Sequence, residues 1–160
     1  PGPVPTAEHV DYTGPALPAN TSMDKYDLAL GETVSPVVGV LTSSFGWREH
    51  PVDGEEKFHN GVDLAVNMGT QVLAFAAGTV DYIGDSPDDY GLYLQIDHGN
   101  GVKSFYAHCS QLLVRQGQTV AAGEAVALSG DSGKTTGPHL HLELKVDGVR
   151  INPIYYIETG

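Results

Sequence analysis

Short apolar segments separated by glycine run through the chain from about residue 35 to its end. Examples are PVVGVLTSSFG, GLYLQIDHG and HLHLELKVDG. With 20 glycines and 10 prolines, the chain favours short strands joined by tight turns over a bundle of helices. We therefore predict a mostly β fold, a compact antiparallel sheet or barrel-sandwich-like structure with glycine-rich turns and little helix.

Two turn signals indicate how the strands pair. Asn100-Gly101 separates LYLQIDHG from VKSFYAH, and the alternating apolar and polar residues of LYLQID are typical of a half-buried strand. We expect these two segments to pair antiparallel, with a second turn at Asp147-Gly148. The segments GTQVLAFAAGTV and GQTVAAGEAVALSG resemble each other and predict paired hairpins. Some helical character is confined to residues 110–116, enough for one or two turns.

The first part of the chain differs in composition from the rest. Residues 1–24 contain five of the ten prolines and have neither helical nor strand periodicity. This composition offers little apolar surface to bury, so we expect residues 1–30 to form an arm or linker and residues 31–160 to form one domain. A disordered tether is the simpler interpretation of the arm, and an arm that lies across a cleft is the alternative.

The charge balance excludes one large class of partner. Eight Lys and Arg residues against 20 Asp and Glu residues give a net charge of -12, which opposes binding to the phosphates of nucleic acid. A single cysteine, Cys109, excludes an intrachain disulfide. No apolar run reaches the roughly 18 residues that a membrane span needs, so we expect no membrane contact from this segment. Because the chain begins at Pro1, we expect a fragment of a longer anchored or exported protein.

Two pairs of potential metal ligands stand out among the seven histidines. His59 and Asp63 are four residues apart in FHNGVD, and His139 and His141 are two apart in HLHLEL. In an extended chain an even separation places both side chains on one face, while the leucines of HLHLEL face the other side. The spacing does not distinguish His139 from His141 as a ligand, because both would project the same way.

Together these pairs predict a catalytic metal site. Three imidazole and carboxylate ligands with one open position are the arrangement of catalytic zinc, whereas structural zinc is closed by four ligands that usually include thiolates. A single cysteine makes a structural site improbable. A catalytic zinc lowers the pKa of a bound water to about 7 and supplies hydroxide at neutral pH, which is the chemistry of a hydrolase.

Five motifs occur in a fixed order along the second part of the chain. They are SSFGWREHP at 43–51, FHNGVDLAV at 58–66, G-T-x-V-x-A-x-x-x-G-x-V at 69–80, FYAHCS at 105–110 and GPHLHLEL at 137–144. In this order they resemble the lysostaphin-type (LytM domain) zinc endopeptidases. The resemblance extends from about residue 40 to Pro153, in the INP sequence that typically follows the last strand.

The resemblance implies a role for five residues. His59, Asp63 and His141 would hold one zinc ion, while His139 and His108 would stand beside the metal and handle protons and the tetrahedral intermediate. We assign the base role to His139 and stabilisation of the oxyanion mainly to His108. Relatives that act only as scaffolds commonly lack one or more of these residues, and this chain has all five.

The function implied by the resemblance is that of a zinc metalloendopeptidase that cleaves peptide stems or crossbridges of bacterial peptidoglycan. Such an enzyme would work outside the cytoplasm, either secreted or in the cell envelope. The motifs do not indicate whether a glycine bridge or a D-amino-acid crosslink is cut, and they identify no partner protein. From the arm, His9 or Asn20 could supply a fourth zinc ligand.

Two other classes of protein compete with the enzyme. A biotinyl- or lipoyl-carrier-like domain shares the glycine-rich hairpins but needs a modifiable lysine, which the two similar segments lack. A non-catalytic cell-wall or protein-binding module on the same zinc-binding fold is the stronger alternative.

Other reactive side chains have simpler interpretations. Cys109 follows His108 directly, but adjacent residues of a strand face opposite sides, so we expect a buried cysteine and not a nucleophile. His50 and His98 adjoin turn signals and are expected at the surface. The acidic segment GDSPDDYG, which contains Tyr90, is expected to be a solvated loop that could form one wall of a cleft.

Overall fold

The computed structural model describes residues 4–49 and 56–160, and His50 lies outside these ranges. Within them the chain forms short strands and one 3₁₀ helix, Pro153–Tyr156. The strands are β1 (Thr6–Glu8), β2 (Lys25–Asp27), β3 (Val40–Ser43), β4 (Gly46–Glu49), β5 (Glu56–His59), β6 (Val62–Ala65), β7 (Gln71–Leu73), β8 (Gly78–Ser86), β9 (Gly91–Asp97), β10 (Val102–Leu112), β11 (Thr119–Val120), β12 (Ala125–Ser129), β13 (His139–Val146) and β14 (Val149–Ile151). The mostly β prediction is confirmed. No helix within the described ranges has the length and apolar character of a membrane span.

One antiparallel sheet organises the fold. Its strands follow the order β11-β8-β9-β10-β13-β6-β3, while β12 pairs with both β10 and β7. Strand β13 has β10 on one side, and on the other side it pairs first with β6 and then with β14. Strands β4 and β5 form a separate hairpin, and β1 pairs with β2. The central position of β13 brings residues from distant parts of the sequence together along it.

Both turn signals lie where the sequence predicted them. Asn100 and Gly101 have φ angles of 56° and 79° in the turn between β9 and β10. Asp147 and Gly148, with φ angles of 51° and 79°, join β13 to β14. These left-handed conformations are tolerated by Asn, Asp and Gly, and they suit a tight hairpin.

The two similar segments pair with each other. Strand β7 pairs with β12, and β8 pairs with β11, so the hairpins interlock as antiparallel neighbours. The expected helical turns at 110–116 are absent, because residues 110–112 complete β10 and Gln111 and Leu112 pair with β12. Pairing with a neighbouring strand outweighs local propensity here.

Strand β10 changes partners at His108. It pairs with β13 as far as Ala107 and with β12 from Cys109, and its register against β9 shifts between Tyr106 and Cys109. His108 lies in this bulge with a left-handed φ of 64°, and its N–H donates to the carbonyl of Tyr90. A bulge of this kind bends the strand and redirects the side chain at the bend.

A chain of hydrogen bonds crosses the apolar core. The Tyr106 hydroxyl accepts from Phe75 N at 2.9 Å and bonds with Ser104 Oγ at 2.6 Å. Ser104 Oγ also bonds with Nε2 of His98 at 2.7 Å, and His98 donates its Nδ1–H to the carbonyl of Ala77. His98 is therefore half-buried and held at both nitrogens, unlike the surface residue expected from the sequence. Burial lowers its pKa and favours the neutral ring.

The second half of the arm packs against the domain. Ser22 N donates to the carbonyl of Arg150, and Arg150 N donates to the carbonyl of Asn20, which extends the edge at β14. Leu28 is buried in the core, and Tyr26 packs beside it. This differs from the disordered tether favoured by composition, because a few apolar residues near the end of the arm find a surface on which to be buried.

We expect Tyr106→Phe to lower the free energy of unfolding by about 1–3 kcal/mol, the cost of leaving buried polar groups without a partner. The ring still fills its space, but the Phe75 N–H loses its acceptor. Urea denaturation of the complete chain measures the change. Tyr155→Phe, on an exposed ring, is the matched control and should leave stability nearly unchanged. A Tyr106→Phe variant as stable as the original chain would contradict the assignment.

Candidate metal centre

Asp63 on β6 lies directly opposite His141 on β13. Facing residues of antiparallel strands have neighbouring Cβ atoms, so their side chains can meet. Nδ1 of His141 lies 2.9 Å from Oδ1 of Asp63, and Nε2 of His59 lies 3.4 Å from Oδ2 of the same carboxylate. The candidate ligand atoms of these three residues all lie within 4.8 Å of one another. The carboxylate is thus placed between two imidazoles, each facing one of its oxygens.

Gly61 allows β6 to approach β13 this closely. A Cβ atom at this position would collide with the carbonyl oxygen of Leu142. The two-residue connection between β5 and β6 therefore depends on a glycine, which brings His59 at the end of β5 back toward Asp63. His59 is held in turn by its Nδ1–H, which donates to the carbonyl of Ser44 at 3.0 Å.

The geometry separates the two histidines that spacing alone could not distinguish. His139 and His141 share a face of β13, but His139 is opposite Ala65 and its Nε2 lies 3.7 Å from Oδ1 of Asp63. His141 is in direct hydrogen-bond contact with that carboxylate. The compact group of potential ligands therefore contains His141 and not His139.

His108 and His139 lie side by side next to this group. Their ring centroids are 4.8 Å apart, and the ring of His108 is 6.1 Å from that of His141. His108 donates Nδ1–H to the carbonyl of Ser132 at 2.7 Å, and His139 donates Nδ1–H to the carbonyl of Gly137 at 2.8 Å. Because carbonyls only accept, each neutral ring keeps Nε2 as an unprotonated acceptor.

The electrostatics of the group suit a cation. Burial raises the pKa of Asp63, but hydrogen bonds from His141 and His59 outweigh this and hold that pKa well below its usual range. Burial lowers the pKa of His141, whereas Asp63 and Glu143 raise it to about 9. At neutral pH Nδ1 of His141 therefore carries a proton that faces Asp63, and a divalent cation can replace that proton. Two imidazole nitrogens and one carboxylate oxygen form a donor set that fits zinc.

Residues 57–153 match the model of peptidase family M23. The chain belongs to this family. It is 42% identical over 113 residues to the peptidoglycan DD-endopeptidase ShyA of Vibrio cholerae, a match that covers 70% of this chain and 26% of ShyA. The chain spans about a quarter of the length of the curated relatives it matches.

Solved structures agree with the family. A zinc-containing peptidase from Vibrio cholerae is 35% identical with a TM-score of 0.69, over 76% of this chain and 39% of that one. The catalytic domain of lysostaphin from Staphylococcus simulans is 27% identical with a TM-score of 0.65, over 74% of this chain and 91% of that one. The resemblance to lysostaphin-type enzymes is therefore confirmed.

The M23 fold assembles the five residues singled out by the sequence, while the two candidates from the arm have other partners. His9 contacts Asp11 and Asp24 within the arm. The main-chain carbonyl of Asn20 accepts from the Arg150 N–H, and His9 is not a member of the compact ligand group.

Cys109 is buried, as expected. Burial raises the pKa of its thiol to about 12, which removes the thiolate that a nucleophile would need.

Two residues that contact His141 in the M23 site were not predicted as site residues: Glu143 was not considered, and Tyr90 was expected only in a loop at the wall of a cleft. Glu143 Oε2 lies 2.8 Å from His141 Nε2 and accepts from the Tyr90 hydroxyl at 2.9 Å. The ring of Tyr90 also stacks on His141, with centroids 5.4 Å apart. The alternation in HLHLEL places Glu143 on the same face as His141, so the pattern did contain this signal. Nothing in the acidic segment indicated that Tyr90 points inward.

We expect the purified M23 chain to contain about one equivalent of zinc, and Asp63→Ala to lose it, because the carboxylate faces both ligand histidines. Elemental analysis of protein prepared without added zinc measures the ratio. Asp85→Ala, which removes an exposed carboxylate on β8, serves as control and should keep the metal. Full zinc content in Asp63→Ala would refute the ligand set.

Proposed function

We propose that this chain is a zinc-dependent endopeptidase that hydrolyses crosslink peptides of bacterial peptidoglycan. Membership of a metallopeptidase family and similarity to a peptidoglycan DD-endopeptidase support the activity. The observation that carries the proposal is the compact group of His59, Asp63 and His141, flanked by two further histidines.

The proposed zinc ligands are Nε2 of His59, one oxygen of Asp63 and Nδ1 of His141. The remaining nitrogen of each histidine is engaged by a hydrogen-bond acceptor, so the nitrogen that faces Asp63 is the one that would hold the metal, which at His141 would displace the Nδ1 proton. When bound at three such ligands, zinc polarises a carbonyl group and makes a water molecule acidic enough to react near neutral pH.

His139 acts as the general base in this proposal. Its Nδ1–H is fixed on the carbonyl of Gly137, which leaves Nε2 free to take a proton from the attacking water. Nε2 lies 3.7 Å from Oδ1 of Asp63, next to the proposed ligands but outside them. The same ring can then return the proton to the leaving amine.

His108 stabilises the charge that develops on the carbonyl oxygen. Burial and the neighbouring imidazoles keep the pKa of His108 below its usual value, so the ring is neutral before reaction. Because Nδ1–H remains fixed on the carbonyl of Ser132, His108 stabilises this charge by taking up a proton from solvent at Nε2 as the charge develops, and it releases that proton to solvent when the carbonyl group re-forms. The left-handed bulge at His108 holds the ring beside His139 for this role.

The proposed scissile bond is a peptide bond of a D-amino-acid crosslink. The choice rests on the peptidoglycan DD-endopeptidases among the relatives, which share 36–42% identity with this chain. Cleavage of the glycan would need two carboxyl groups placed across a glycosidic bond. The carboxylates near the centre, Asp63 and Glu143, are both engaged with His141.

The proposed substrate, peptidoglycan, implies where the protein works and how its charge affects the reaction. We place the chain outside the cytoplasm, with residues 31–160 as the catalytic unit and residues 1–30 as an arm, of which residues 20–28 contact that unit. A net charge of -12 gives no attraction to an anionic wall, so short-range contacts must supply specificity. Moderate salt should accelerate the reaction because it screens the repulsion.

We expect His108→Ala and His139→Ala to keep zinc and to lower turnover by about 10²–10⁴-fold, the usual contribution of a positioned acid or base. The reason is that each ring presents a free Nε2 but lies outside the compact ligand group. Zinc content and the rate of fragment release from purified walls are measured together. His9→Ala, in the exposed part of the arm, is the control. A wild-type rate in either variant removes that histidine from the mechanism.

Digestion of purified walls tests the substrate class. Fragment masses should show new amino and carboxyl termini with intact disaccharides, and walls with direct D-amino-acid crosslinks should be cut faster than walls with glycine bridges. Reducing ends without new amines would overturn the assignment. If the zinc-loaded chain cleaves no wall type, the non-catalytic module becomes the better interpretation.

A further inference from the structure

The four histidines of the site are not all held in the same way. Three of them, His59, His108 and His139, donate Nδ1–H to main-chain carbonyls. His141 is reversed, since its Nδ1 faces Asp63 and its Nε2 lies 2.8 Å from Oε2 of Glu143. Of these four rings, His141 alone has an ionisable side chain on the nitrogen that points away from Asp63.

Glu143 is itself firmly held. Its side chain is 2% exposed, and a buried carboxylate is costly unless donors surround it. Oε2 accepts from the Tyr90 hydroxyl at 2.9 Å as well as from His141, and Oε1 accepts from Arg150 Nε at 3.0 Å. Because both oxygens are engaged, the carboxylate cannot rotate without losing a bond.

This contact decides which nitrogen of His141 carries the proton. A neutral imidazole has one N–H, and a carboxylate on Nε2 keeps the hydrogen there. In the metal-free protein Nδ1 also donates to Asp63, 2.9 Å away, and with Glu143 present a metal can displace that hydrogen while the one on Nε2 remains. Without Glu143, a neutral ring could keep its one hydrogen on Nδ1, against Asp63. A hydrogen that stays on Nδ1 would prevent this nitrogen from binding a metal. The Oδ1 atom of Asp63, which accepts that hydrogen, would also become a weaker ligand.

We propose that Glu143, clamped by Arg150 and Tyr90, is a positioning residue that fixes His141 in the tautomer and orientation required for binding the metal. The inference rests on the proposed function, in which His141 is a zinc ligand. It adds three residues on three different elements, β13, β14 and the loop before β9, to the machinery of the site.

Arg150 connects this clamp to the arm. Its Nε donates to Glu143, while its main-chain N–H and C=O pair with Asn20 and Ser22. Strand β14 is only three residues long, so the added main-chain bonds help to fix the base from which the guanidinium reaches Glu143. A lysine at 150 would keep the charge but lose the planar fork that meets one carboxylate oxygen.

The test measures zinc affinity by competition with a chelator on the complete chain. Glu143→Gln should weaken zinc binding by about 10–100-fold, the usual effect of removing such an outer partner. Tyr90→Phe and Arg150→Lys should each produce a smaller loss in the same direction. The absorption spectrum of the cobalt-substituted protein should change in Glu143→Gln, since it reports the geometry around the metal.

Asp81→Asn is the matched control. Asp81, on β8, is also a carboxylate of the sheet with partners on other strands, Gln95 of β9 at 3.2 Å and Lys103 of β10 at 3.0 Å, but it contacts no site histidine. The zinc affinity and the cobalt spectrum of the Asp81→Asn variant should equal those of the original chain.

Unchanged affinity and an unchanged cobalt spectrum in Glu143→Gln would overturn the proposal. If that variant fails to fold, wild-type affinity in both Tyr90→Phe and Arg150→Lys overturns it instead. Both readouts concern metal binding alone. A chain that binds zinc tightly but cleaves no wall would therefore contradict the proposed function and leave this inference intact.

Discussion

The register between β6 and β13 is the constraint on which the rest of the site depends. It places Asp63 opposite His141, so that a carboxylate and an imidazole far apart in the sequence come within hydrogen-bond distance. A shift by one residue would turn every side chain of one strand to the other face and bury the ligands among leucines. The apolar face of β13, which lies in the core, makes that shift costly and thereby protects the metal centre.

Two local backbone features, a glycine and a bulge, complete the positioning of the site residues that the strand register brings together. Gly61 removes the side chain that would keep β6 away from Leu142, and the bulge at His108 bends β10 toward a second partner strand. Both features lie within the motifs that carry chemistry. A left-handed φ at a non-glycine residue is uncommon, and here it holds the imidazole of His108 next to that of His139.

The site also shows how buried polar groups are satisfied around the candidate metal centre. Each of its four histidines has one nitrogen on a fixed acceptor, and in the proposed mechanism the other nitrogen holds the metal or takes a proton. Glu143 extends this pattern away from the centre, through Arg150, to the strand on which the arm is docked. In the proposed clamp, Arg150 therefore contributes both to the orientation of His141 and to the attachment of the arm.

Much of this molecule follows from its sequence. The glycine spacing and the turns at Asn100 and Asp147 determined a sheet of short strands, and even spacing put His139 and His141 on one face of β13. The even spacing of His59 and Asp63 did not act in this way, because these two residues lie on different strands and the connection at Gly61 brings them together. Spacing could not decide between His139 and His141, because both project from one face of β13. That choice belongs to the tertiary structure, since only the facing strand shows which of them meets Asp63. The tertiary structure also determines that the side chain of Tyr90 points toward His141 and that part of the arm packs on the sheet. Both depend on surfaces that exist only after the sheet has formed.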